Sequence, residues 1–311
     1  MTLDPLARQF LDSLAAAPRP KVWELSPDEM RAGMRAMMKM VGAKDIPIGG
    51  IENIAMPGAG GELALRVYTP VAAGGEALPA LIYFHGGAFR VGDLDSHDQT
   101  CRVLAGEASA RVIAVDYRRS PENKFPAAVD DAFAATRWVE ANARELGIDA
   151  NRLAVGGDSA GGNLAAVVCQ LARGAPKIAF QLLLFPVTML GSTFPSMREF
   201  ATGYFLEREP LEFCYRDYAG AADTADPRLS PLLAEDLAGL PPALVMLAGC
   251  DPLHDEGLAY AEKLRAAGVE VTIADYPGML HCFTQMLSVF PQAHEALTAA
   301  ARALREAFEA L

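Results

Sequence analysis

Apolar residues near the start of the chain recur at helical spacing: Leu3, Leu6, Phe10 and Leu14 share one face. Ser26-Pro27-Asp28-Glu29 then offers an N-cap, a proline at the first helical position and an acid three residues after the cap. The helix that this signature starts carries Met30, Met34, Met37 and Met38, three and four residues apart. From Ile51 the period changes. Leu63 to Tyr68 alternates as a strand, and Pro70 to Pro79 reads as a loop of small residues. Leu81-Ile82-Tyr83-Phe84 is a short, continuously apolar run, the pattern of a strand buried on both faces.

Beyond this point strands and helices alternate. Strands are predicted over Arg111 to Asp116, Arg152 to Gly156, Ile178 to Phe185, Ala243 to Ala248 and Val269 to Ala274. Helices are predicted over Pro126 to Leu146, Asn163 to Ala172, Leu258 to Ala267 and Gln292 to Leu311. Such alternation implies right-handed crossovers and an α/β fold, with a mostly parallel central sheet flanked by helices. Residues 188–222 break the rhythm with a helical, aromatic stretch that includes Phe194, Phe200, Tyr204, Phe205 and Phe213. That insertion and the N-terminal helices are candidates for a separate cap.

Composition narrows the classes. The chain has 311 residues, 51% hydrophobic and 21% charged, which supplies a large core and excludes a disordered or collagen-like protein. Its net charge of −12 lacks the footprint of a nucleic-acid binder and is repelled by anionic membranes. No basic region followed by an apolar stretch and cleavage site opens the chain, and no apolar run spans a membrane, so a cytoplasmic protein is expected. Five scattered cysteines without CxxC spacing read as reduced thiols rather than a disulfide framework or zinc cluster.

The chemistry is concentrated at strand ends. Leu153-Ala154-Val155-Gly156 runs into Gly157-Asp158-Ser159-Ala160-Gly161, and a helix follows at once. This is G-x-S-x-G in its strand–turn–helix setting, where the glycines let a sharp turn expose the serine oxygen. Chance alone yields roughly 0.1 such pentapeptides in a chain of this length. Upstream, the strand ending at Phe84 leads into His85-Gly86-Gly87-Ala88-Phe89, small residues whose backbone can approach an oxyanion. Ser159 needs a base, and the base an orienting acid. His281, in a loop after a strand, is preferred over His85, His97, His254 and His294. Asp251 directly follows an apolar strand, at the carboxyl end where open sheets build sites, with Asp255 as its rival. No phosphate loop, dinucleotide fingerprint or metal-ligand spacing is present, so neither a cofactor nor a metal is expected.

These stretches together resemble the hormone-sensitive-lipase family of bacterial carboxylesterases, in its GDSAG branch. The likeness runs through Tyr83 to Phe89, Val115 to Glu122, Phe125 to Asp130, Gly157 to Gly162, Ser230-Pro231-Leu232, Asp251 to Gly257 and His281-Cys282-Phe283. It implies an α/β-hydrolase core over residues 51–187 and 223–311, with a helical cap from residues 1–50 and 188–222. It implies a small acyl ester of short to medium chain as substrate. The family's nucleophile falls on Ser159, its acid on Asp251 and its base on His281. Its oxyanion donors fall within Gly86, Gly87 and Ala88, plus Ala160. Two departures stand out: Ala88 replaces a third loop glycine, which preserves the N–H if its φ is negative, and Cys282 replaces the glycine after the base. The same machinery could serve an arylacylamide or formamide. A non-catalytic small-molecule receptor is the alternative of another class, opposed by the presence of His281. Oligomeric state, a homodimer included, is left open.

Three side features carry expectations of their own. Cys250 and Cys282 flank the acid and the base, close enough in principle for oxidation to disturb the site. Arg118 and Arg119 read as ion-pair braces rather than substrate ligands. The methionine stripe reads either as packing between helices or as a deformable wall for the acyl chain.

Overall fold

The computed structural model describes residues 2–16, 20–71 and 73–311; the expectations for residues 1, 17–19 and 72 lie outside them. Two helices lead, α1 (Pro5–Ala15) and α2 (Pro27–Val41). The capping box foreseen at Ser26 is formed, with Ser26 Oγ accepting from Glu29 N–H and the Glu29 carboxylate accepting from Ser26 N–H. Next comes a hairpin of β1 (Gly50–Gly58) and β2 (Gly61–Thr69), closed by Ala59-Gly60. The alternating body follows as β3 (Leu78–Phe84), α3 (Asp98–Ala108), β4 (Arg111–Val115), α4 (Ala127–Ala141), β5 (Ile148–Asp158), α5 (Ala160–Leu171) and β6 (Phe180–Leu184). Two helices, α6 (Pro195–Glu199) and α7 (Arg208–Ala219), interrupt it. It resumes with β7 (Ala243–Cys250), α8 (His254–Ala266), β8 (Val271–Leu280) and α9 (Pro291–Glu309).

The strands form one sheet in the order β1-β2-β4-β3-β5-β6-β7-β8. Only β2 opposes its neighbours, and every pairing from β4 to β8 is parallel. A parallel sheet needs cover on both faces, and β3 displays why its sequence is apolar throughout. Ala80, Ile82 and Phe84 join a core with Ala132 of α4, Leu164 of α5 and Leu264 of α8. Leu81 and Tyr83 join the opposite core, with Leu104 of α3 and Leu297 of α9.

Several boundaries moved for identifiable reasons. The helix predicted to reach Leu146 stops at Ala141, where the Asn142 side-chain amide and its own N–H both donate to the Trp138 carbonyl, at 2.8 and 3.0 Å. Strand β8 runs on past Ala274 to Leu280, since β7 continues to pair with it through Tyr276 and again at Leu280. Pro277 is tolerated there because β8 lies at the sheet edge. Helix α3 was not foreseen; it begins without a side-chain cap and carries a glycine, Gly106, in its interior. Among the described residues, no helix is long and apolar enough to cross a membrane.

Candidate active site

The parallel strands β3, β5, β7 and β8, with β6 between β5 and β7, end at the carboxyl end of the sheet, and each of the four is followed at once by a residue singled out from the sequence. Phe84 leads into His85 and the glycine loop, Asp158 into Ser159, Cys250 into Asp251, and Leu280 into His281. His281 thus caps a strand end rather than sitting in a detached loop, which fixes its position through the sheet.

Ser159 occupies the turn between β5 and α5 with φ 53° and ψ −117°. A side chain rarely adopts that conformation, and here its surroundings impose it. The Ser159 N–H donates to the Leu184 carbonyl at 2.8 Å, and its carbonyl accepts from Asn163 N–H at 3.0 Å and Val187 N–H at 3.1 Å. The flanking glycines are demanded by space. A Cβ on Gly161 or Gly157 would overlap the Phe84 carbonyl oxygen. The β3 end and the turn can therefore lie against each other, which brings the glycine loop beside the serine.

The Ser159 hydroxyl lies 2.9 Å from His281 Nε2, and His281 Nδ1 lies 2.6 Å from Asp251 Oδ2. Asp251 Oδ1 accepts from Leu253 N–H at 2.9 Å, so both carboxylate oxygens are held. Asp251 is fully buried, while Ser159 and His281 keep 4% and 3% of their surface exposed. Burial opposes an imidazolium at His281. The Asp251 carboxylate more than offsets this and raises the ring's basicity above its ordinary value of 6.5. The rival Asp255 is engaged elsewhere, accepting from Ser196 N–H at 2.9 Å and lying 3.0 Å from His254 Nδ1. His294 is solvated and faces Glu107 at 3.5 Å.

The glycine loop departs from expectation at two points. The Gly86 N–H is already committed to Asp158 Oδ1 at 3.0 Å, with His97 Nε2 at 3.2 Å. Ala88 has φ 51°, not the negative value thought necessary. Its N–H is retained all the same, and Gly87 and Ala88 line the same cavity as Ser159 and His281. Ala160, the first residue of α5, contributes its N–H at a helix terminus without a side-chain cap.

A buried network behind the serine was missed. Asp158 accepts from Tyr83 Oη at 2.7 Å and from Gln285 Nε2 at 2.6 Å, besides the Gly86 N–H. Burial works against the Asp158 carboxylate, but His97 and these donors prevail and lower it to about 2. One anion thus ties together the nucleophile strand, the glycine loop and the turn after His281. An acid inside a motif flanked by apolar strand was the available signal, since such an acid is buried only with partners.

Glu256 of α8 was also overlooked. It is fully buried, and its Oε1 accepts from Thr188 N–H at 2.8 Å and Met189 N–H at 3.2 Å, where the insertion begins. Burial pushes its carboxyl from 4.5 up to about 8. The fold therefore holds an extra proton between those values, and its stability from this group is present below 4.5 and lost as pH rises through about 8. Glu256→Gln removes the dependence. The thermal midpoint of wild type minus that of the variant should fall between about pH 5 and about pH 8.5, whereas a constant difference would contradict the assignment.

A cavity of about 700 Å³ opens over Ser159. Met34, Met37 and Met38 of α2 line it together with Phe205, Leu206 and Leu211. Met30 is not part of this wall; its sulfur lies 3.2 Å from Arg90 Nε. Arg118 grips buried Asp131 with two bonds of 2.8 Å and Arg119 pairs with Asp116 at 3.3 Å, both braces as expected. The five cysteines are free and buried. Cys282 faces the cavity, with φ 62° where glycine was expected, whereas Cys250 directs its thiol to the Pro277 carbonyl at 3.7 Å.

Comparison with known proteins agrees with this geometry. The pattern of the α/β-hydrolase fold family matches residues 81–285. Esterase LipI of Mycobacterium tuberculosis is 40% identical over 309 residues, covering 97% of this chain and 94% of that one. Carboxylesterase NlhH of the same species is 43% identical over 255 residues, 80% of each chain. Among solved structures, an α/β-hydrolase enzyme from the metagenome of Lake Arreo superposes with a TM-score of 0.95 at 41% identity, covering 99% of both chains. An esterase from Pyrobaculum calidifontis gives 0.91 at 38% identity, covering 98% of both. With its sheet order, its serine turn and these relatives in agreement, the chain belongs to the α/β-hydrolase fold family, within the hormone-sensitive-lipase-like branch.

Proposed function

We propose that this protein is a serine carboxylesterase acting on short- to medium-chain acyl esters. The observation that carries the reading is the unbroken path Ser159 Oγ–His281 Nε2 and His281 Nδ1–Asp251 Oδ2, set beside the loop amides of Gly87 and Ala88. Ser159 Oγ attacks the ester carbonyl carbon and His281 Nε2 takes its proton. The new imidazolium is stabilised by Asp251, which also holds the ring in its tautomer. Negative charge gathers on the carbonyl oxygen and is met by the N–H groups of Gly87, Ala88 and Ala160. Collapse expels the alcohol, protonated by His281. A water activated by the same imidazole then releases the acid and restores Ser159. Helices α1, α2, α6 and α7 serve as the cap over this site.

The methionine-lined cavity supports an apolar acyl chain. Each methylene it buries contributes about 0.8 kcal/mol, so kcat/KM gains up to about 4-fold per added carbon until the wall is reached. A panel of 4-nitrophenyl esters should peak between butyrate and octanoate, with little action on long-chain triglycerides. Met37→Trp, which fills part of the wall, should move the peak to a shorter chain. An unchanged profile would show that α2 does not bound the acyl site. Matched anilides in the same panel separate ester from amide hydrolysis, and turnover of neither would leave a binding role.

A further inference from the structure

Immediately after Gly86 the backbone holds three consecutive left-handed residues: Gly87 (φ 122°), Ala88 (φ 51°) and Phe89 (φ 60°). Glycine accepts this freely, and a Cβ at Gly87 would overlap the Val91 carbonyl oxygen. Ala88 and Phe89 carry a Cβ, and such a run persists only where the surroundings over-determine it. Part of the restraint comes from the core, where the Phe89 carbonyl accepts from Ser120 N–H at 2.8 Å and Ser120 Oγ at 3.1 Å.

The loop also closes on itself, with Arg90 N–H and Val91 N–H both donating to the Gly87 carbonyl at 2.9 Å, and the cap adds further contacts. The Phe89 ring lies flat on Tyr218 of α7, with centroids 3.8 Å apart and planes 6° apart. The next residue, Arg90, buries its guanidinium 4.9 Å from the Phe213 ring and pairs with Asp217. Phe213 and Asp217 stand one helical turn apart, so one face of α7 receives both contacts. From α2, Arg31 Nε donates to the Arg90 carbonyl at 3.1 Å while its other nitrogens grip Glu122 at 3.0 and 2.7 Å.

We propose that α7 is a positioning element for the oxyanion hole. Through Tyr218 on Phe89 and Asp217 on Arg90, it holds Gly87 and Ala88 in the left-handed conformation that presents their N–H groups to the substrate. The cap then acts on the chemical step as well as on acyl binding. A cap lifted from this loop leaves Ser159 and His281 aligned but the oxyanion unmet. This inference rests on the esterase reading of Ser159 above.

The test measures turnover by Asp217→Ala and Tyr218→Leu per active site titrated with an alkyl phosphonate. Each is expected to lose about 10- to 100-fold in kcat, less than deletion of a whole oxyanion donor, with KM little changed. Sulfur accepts hydrogen bonds poorly, so the rate ratio of an ester to its thionoester reports the hole itself, and it should fall in both variants. Tyr218→Phe should restore kcat and the ratio, because Tyr218 Oη has no hydrogen-bond partner among the described residues. Unchanged kcat per titrated site, or equal losses on ester and thionoester, overturns the inference while Ser159 keeps its role. A wild-type protein that hydrolyses no ester overturns the reading beneath it as well.

Discussion

Ser159→Ala and His281→Ala are each expected to lower kcat by about 10⁴-fold or more. On the proposed mechanism the two side chains, 2.9 Å apart, act as one nucleophilic unit, so losing either removes the attack on the carbonyl and leaves only oxyanion binding and proximity. The double variant should therefore be little slower than either single one. Purified variants assayed on a butyrate ester provide the check, with circular dichroism to confirm folding. Additive losses in the double variant would show that the two residues act separately.

Asp251→Asn carries the second large effect, on the order of 10²–10⁴ in kcat, through loss of ring orientation and of the imidazolium's counter-charge. It also carries a signed pH shift. Only the neutral imidazole accepts the Ser159 proton, so kcat/KM rises with pH through the His281 titration. Asp251 holds that titration above 6.5, and its neutralisation must move the acid limb to lower pH. Asp255→Asn should change neither the rate nor the limb appreciably, because Asp255 serves Ser196 and His254. If Asp255→Asn were the more damaging substitution, the acid would be wrongly assigned.

How much of this could be read from the chain depends on how local each constraint is. The buried parallel strands were legible because burial on both faces writes an uninterrupted apolar run, as in Leu81 to Phe84. Ser159 was legible because its strained turn admits only glycine at the crowded flanks, which leaves a pattern five residues long. Asp251 and His281 followed from their place at strand ends. Other features depend on contacts between distant segments. The Asp158 network joins residues 83, 86, 97, 158 and 285, and forms only where β3 and β5 lie together with the segments before α3 and after β8. The left-handed φ of Ala88 has no local signature either, and the partners of the adjoining Phe89, Ser120 and Tyr218, come from distant segments. β8 was cut short for the same reason: Pro277 and Gly278 read locally as a turn, while pairing with β7 keeps the segment extended.

The central claim is that a single residue, Ser159, carries the acyl group. Intact-mass and peptide mass spectrometry after reaction with a 4-nitrophenyl alkyl phosphonate tests it most directly. One phosphonyl group per chain should appear on the peptide containing Ser159, in step with loss of ester hydrolysis, and labelling should be strongly slowed in His281→Ala. Full hydrolysis surviving stoichiometric labelling of Ser159, or inactivation with the adduct on another residue, would contradict the account.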